Sequence, residues 1–161
     1  MRVPVFDPSA LQEALDLAAE IYRRHEAGQP YAEEIQRLSA TTGQELTKND
    51  VHGAFGSIAS DDWARDLLLL SSPMPDDLSR EELVEMLERI LAVADPEWLQ
   101  HWCIRCVEHA TGCPDLIEII YYPQDYFGDD EHDDMAPAEI LDVAMKGPRR
   151  VLVTPPPRKP S

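Results

Sequence analysis

An all-α fold is what this chain predicts, and three observations carry the prediction. Signals that open helices recur along it: Asp7-Pro8, Asp95-Pro96 and the run Ser79-Arg80-Glu81-Glu82. Behind each, apolar residues return every three or four positions, the spacing that puts them on one helix face. Glycine or proline then closes the run, at Gly28, at Gly112 with Pro114, and at Gly147-Pro148.

Taken in order, Asp7 is positioned to cap a helix whose first residue is Pro8, a place where a missing N–H costs nothing. Leu11, Leu15, Ala18 and Tyr22 form its expected inner face. A second helix is expected from about Pro30, with Tyr31, Ile35 and Leu38 inward. Thr47 and Ser60 are the expected caps of two more: a short helix near Asp50–Ala54, and one carrying Trp63, Leu67 and Leu70. Residues 1–72 therefore read as a small helical unit. Between Ser71 and Asp77 two prolines break the pattern and mark the expected boundary. The Ser79/Glu82 capping box then opens a helix with Leu83, Leu87, Ile90 and Leu91 inward. Asp95-Pro96 is expected to start the next helix as Asp7-Pro8 starts the first, running through Trp98, Trp102 and Val107 to Gly112. Glu118-Ile119-Ile120-Tyr121-Tyr122-Pro123 follows, then an acidic loop over 124–134. A last short helix from Pro137 buries Ile140, Leu141 and Ala144. The tail, 148–161, is Pro-rich and expected to be extended and disordered.

The 161 residues suit one domain, or one domain with a substantial extension, and 43% apolar residues suffice for a core. The net charge of −17 is unevenly spread: −6 over residues 1–72, −15 over 73–147, and +4 over 148–161. So negative a field repels nucleic acid and draws basic proteins, which argues against direct nucleic-acid binding. The chain begins without an apolar leader, carries an odd number of cysteines, and has no apolar run near the ~18 residues of a membrane span. Reduced thiols and a cytoplasmic location are the expectation.

Four features invite a chemical reading. The paired tyrosines Tyr121 and Tyr122, with Glu118 before them and Pro123 after, make a compact aromatic and anionic cluster. Tyrosine gives a large contact area at little entropic cost and is enriched at binding hot spots, although a core turn is the plain alternative. His101, Cys103, Cys106, His109 and Cys113 crowd into one predicted helix and its exit. Zinc needs four tetrahedral ligands, usually from two elements, so buried structural cysteines are the expected role for Cys103, Cys106 and Cys113, with Cys103, Cys106, His109 and Cys113 as the alternative metal cluster. The acids of 129–134 lack the order of a calcium loop and read as solvated surface. His25, His52 and His132 are expected at the surface. No nucleophile, phosphate loop or oxyanion device accompanies the carboxylates, so neither enzyme activity nor a cofactor is expected.

With these elements placed, residues 79–146 resemble the immunity proteins that neutralise colicin- and pyocin-type endonucleases with a His-Asn-His-type active site. Three stretches carry the likeness. Ser79 to Asp95 resembles that family's first helix, including the closing Ala-Asp. Glu118 to Pro123 resembles its very short third helix, typically Asp-Leu-Ile-Tyr-Tyr-Pro. Asp133-Asp134-Met135-Ala136-Pro137, with Ile140 and Leu141, resembles the Asp-rich, Pro-led start of its fourth helix. The loop after Pro123 is longer than the family's, the second helix is richer in Trp and Cys, and residues 1–72 and the tail have no counterpart.

The resemblance implies a four-helix domain over 73–147, with the N-terminal unit added to it. It also implies an acidic, cytoplasmic antidote that binds a basic nuclease toxin without chemistry or cofactor. Carried over, the shared anchor is Glu118, Tyr121, Tyr122 and Pro123. The partner-specificity face of the second helix is Glu97, Gln100, His101, Ile104, Arg105 and Glu108, which recur at spacings that share a helix face. Two other readings stand beside it: a helical adaptor with the Tyr-Tyr turn in its core, and a Cys/His metal-binding regulator.

Overall fold

The computed structural model describes residues 2–128 and 134–147. These residues are all-α: nine helices and no strand among them. No helix among them is long and apolar enough to cross a membrane. The expected Pro-rich tail, residues 129–133 of the expected acidic loop and with them His132 lie outside the described residues.

Four helices precede residue 72: α1 (Pro8–Glu26), α2 (Ala32–Thr42), α3 (Lys48–Ala54) and α4 (Ser60–Leu70). Asp7 caps α1 as its chemistry demands, its carboxylate accepting from the Ala10 N–H at 2.8 Å. Thr47 caps α3 in a box with Asp50, whose carboxylate accepts from the Thr47 N–H at 2.7 Å. The start of α4 falls differently from expectation, with Ser60 its first helical residue and Ala59 at the cap position. The buried arc of α1 is also turned from the expected one. Ala14, Leu17, Ala18 and Ile21 are buried, whereas Leu11, Leu15 and Tyr22 are half-buried. Because α1 packs against both α2 and α4, its buried arc is wide, and it includes the fully buried Ala14 and Ala18. Ile35, Leu38, Val51, Trp63 and Leu67 complete this first core. His25 is not a bare surface residue: it is half-buried, and its Nδ1 lies 2.9 Å from the Tyr31 hydroxyl.

The second core gathers α5 (Arg80–Ala92), α6 (Glu97–Thr111), α7 (Leu116–Tyr121) and α9 (Pro137–Met145), with α8 (Pro123–Phe127) at its edge. The capping box that opens α5 is formed in both directions, Ser79 Oγ accepting from Glu82 N–H at 3.2 Å and Glu82 Oε2 accepting from Ser79 N–H at 3.0 Å. Leu83, Met86, Leu87 and Ile90 are buried; Leu91, expected inward, is exposed on the far side of the arc. The start of α6 differs from expectation by one residue. Pro96 holds the cap position, and Asp95 is instead gripped by Arg89, whose Nε and Nη2 donate to its two oxygens at 2.7 and 2.6 Å. Two parallel bonds from a cationic guanidinium outweigh a single cap bond from a neutral amide, so the carboxylate turns to Arg89.

Between those two helices stands Val93, at φ 49°. A β-branched side chain in the left-handed region is strained, and Val93 is exposed enough that no packing repays it. Val93→Gly is therefore expected to stabilise the protein by about 1 kcal/mol. The check is a raised midpoint in chemical denaturation.

The two cores meet at α4. Leu67 and Leu69 are two residues apart, about 200° around the helix axis, and they enter different cores. Leu70, expected inward, points away from both and is 52% exposed. Residues ahead of α1 also reach the second core. Phe6 packs on Trp98 with ring centroids 5.8 Å apart, and Trp102 Nε1–H donates to the Arg2 carbonyl at 3.3 Å. Arg2 pairs with Asp77 and, at 3.1 Å, with Glu82. The N-terminal unit is clamped onto the second at both of its ends.

Candidate protein-docking face

The candidate anchor stands on the six-residue helix α7. Leu116, Ile119 and Ile120 are buried and fasten it to the second core. Its remaining positions, Ile117, Glu118 and Tyr121, are exposed, as a one-sided helix at this spacing requires. Pro123 disfavours a helical Tyr122, and the chain breaks there at φ −136°, ψ 49° before α8 begins with Pro123 in its first turn. Part of the expected loop is thus a helix. The break leaves Tyr121 44% and Tyr122 58% exposed, side by side with Glu118, while Pro123 is half-buried. Partial burial pushes the Tyr121 hydroxyl above its ordinary pKa, so it stays a neutral donor.

The six specificity candidates do lie along one side of α6, but α4 is docked against it. His101 Nδ1–H donates to Asp66 Oδ2 at 2.7 Å, and its Nε2 is 3.8 Å from Glu97 Oε1. Arg105 Nη1–H donates to the Leu69 carbonyl at 2.7 Å, one of the carbonyls that a helix end leaves without an intrahelical donor. Gln100 turns back to the Asp95 carbonyl at 2.8 Å. Ile104 packs on the second core, and burial raises the Glu108 carboxyl above the usual range. Glu97 remains exposed. Of the six, His101 and Arg105 are held by the chain's own N-terminal unit.

Where α4 and α6 part, next to α7, a groove of about 330 Å³ opens. Leu70, Ile104 and Ile117 give it apolar walls; Asp66, Arg105 and Glu108 line it as well. Asp66 Oδ1 is sealed from solvent and has no hydrogen-bond partner among the described residues. Sequence reasoning missed Asp66, Leu70 and Ile117. A signal was there: four leucines in succession, 67–70, exceed what one buried face can hold, and so does Leu-Ile-Glu-Ile-Ile on a six-residue helix.

His101 gives this junction a pH dependence. Asp66 chiefly raises its pKa through the hydrogen bond, with Glu97 and Asp62 adding the same sign and burial opposing. A folded-state pKa above the unfolded value contributes stability that is complete below the ordinary histidine pKa of about 6.5 and disappears as pH rises through the folded value. Stability relative to His101→Gln should therefore be greater near pH 5.5 than at pH 9. Unfolding midpoints of the two proteins across that range are the check; parallel profiles refute it.

The cysteines lie inside. Cys103, Cys106 and Cys113 are all buried, and burial pushes the first two thiols up to about 11 and about 12 and raises the third. His109 stands outside, its Nε2 2.7 Å from Asp76 Oδ1. Among the described residues no three His, Cys, Asp or Glu side chains converge as metal ligands.

No family model, curated protein or solved structure matches this chain.

Proposed function

We propose that this protein is a cytoplasmic antidote, an immunity protein that binds a basic bacteriocin-type nuclease and blocks it. The observation that carries the reading is the outward presentation of Tyr121 and Tyr122 beside Glu118, on a helix whose other face is anchored in a core. A turn kept for core packing would bury those rings; these stand in water. They are rigid amphipathic contact area available to a partner.

The charge supports a basic partner. The stretch bearing the turn, 73–147, has a net charge of −15, which speeds encounter with a positive surface and rejects acidic ones. A nuclease must hold phosphates with cations, and those cations are what the carboxylates would pair with. Inhibition then follows from occlusion and from repulsion of the nucleic acid, with the buried aromatics supplying most of the affinity. Neither covalent chemistry nor a cofactor is required.

Co-expression tests it. If the neighbouring open reading frame encodes the toxin, cells expressing it should survive with the wild-type chain and die with the Tyr121→Ala, Tyr122→Ala double variant. Equal killing with and without the wild-type chain would refute the reading.

A further inference from the structure

The groove between α4 and α6 has no part in the reading so far, and its walls come from both units. We infer that it is a second seat for the same basic partner, receiving one aliphatic or aromatic side chain flanked by a lysine or arginine. The N-terminal unit thereby becomes part of the binding surface. The inference rests on the inhibitor reading above.

Five observations point to this occupant. The groove is continuous with the candidate anchor: Ile117 forms its wall, and Tyr121, four residues on, lies on the same face of α7. A partner seated on the tyrosines therefore passes over the groove's mouth. Its walls are apolar and partly open, with Leu70 52% and Ile117 44% exposed on α4 and α7. A volume of about 330 Å³ is at the small end of ligand pockets, about 300–1,000 Å³, and is the size for side chains.

The remaining two concern charge. Asp66 Oδ1 is buried and has no hydrogen-bond partner among the described residues, a costly state that the charge of a partner's cation at the groove would ease. Burial also raises the Glu108 carboxyl above its usual range, and a cation beside it would favour the charged form. Arg105 and His101 are the basic groups among the lining residues, and both are already engaged, Arg105 with the Leu69 carbonyl and His101 with Asp66 Oδ2. An apolar floor with acids at its edge fits an apolar residue next to a basic one, the composition of a nuclease's phosphate-binding surface.

Titration calorimetry of the full chain against the nuclease identified by that rescue, inactivated in its catalytic site, tests the assignment. Leu70→Ala and Ile117→Ala should each weaken binding at least about fivefold, and Leu70→Lys at least about fiftyfold, by placing a cation against the partner's own. Leu70 and Ile117 are exposed, so all three variants should keep the wild-type unfolding midpoint. If Tyr121→Ala weakens binding while the three groove variants bind within twofold of wild type, the groove is idle: the inference fails and the inhibitor reading stands. If the wild-type chain does not bind the nuclease, both fail. Sedimentation of the free chain separates a further occupant: a dimer dispersed by Leu70→Lys, with nuclease binding unchanged, assigns the groove to a second copy and overturns the inference.

Discussion

Replacing either Tyr121 or Tyr122 by alanine should weaken binding to the cognate nuclease by about 2 kcal/mol or more, roughly thirtyfold. Stability should barely change. The contrast follows from where the rings stand. Both are exposed in the free protein, so truncation removes little from the core. In a complex each would bury its ring and hold a hydroxyl against a partner group, the combination that makes tyrosine a hot-spot residue. α7 itself is held by Leu116, Ile119 and Ile120, so the platform survives the substitutions. Calorimetric titration with unfolding controls separates the two effects. Unchanged affinity in both variants would remove Tyr121 and Tyr122 from the anchor.

Leu69→Ala should lower folding stability by about 2–5 kcal/mol, the range for truncating a buried leucine. Leu70→Ala, one residue on, should change it by less than about 0.5 kcal/mol. Leu69 is 2% exposed and sits in the second core, although it belongs to a helix of the first. Its truncation opens a cavity exactly where the two units are joined, and the surrounding helices, each fixed by its own core, have little freedom to collapse into it. Because α4 serves both cores, unfolding followed through Trp63 in one and Trp102 in the other should remain coincident in the variant. Separate transitions would mean that the clamp between the units is weaker than its packing implies.

These cases also locate what the sequence could tell. Asp7, the Ser79/Glu82 box and Gly112 were legible because capping is local: a side chain, its backbone and three residues decide it. Asp95 was misread because Arg89, a full turn and a loop away, competes for the same carboxylate. The all-α architecture and most inward faces of the second core, Leu83 to Ile90 and Ile140 to Ala144, followed from periodicity. Leu69 and Leu70 could not be told apart, since which of them is buried depends on what packs against the outer side of α4.

The candidate site divides in the same way. The tyrosine pair announces its chemistry in six letters, and Pro123 explains why the chain breaks beneath it. The hold of α4 on α6 had no such signature. Asp66 and His101 are 35 residues apart, and nothing near either one in the chain foretells the other. That contact gives residues 1–72 a physical role the sequence left blank: they position His101 and Arg105 and supply one wall of the groove.

The three interior cysteines have a practical consequence. A thiolate is the species that alkylating reagents and oxidants attack, and thiols held at about 11 and about 12 are almost wholly protonated at neutral pH. In the closed protein Cys103, Cys106 and Cys113 are shielded twice, by burial and by protonation. Each becomes reactive when the helices around it part, so the rate of covalent labelling serves as a native clock for the opening of the second core. Slowing of that clock by an added nuclease would report its grip without any engineered probe.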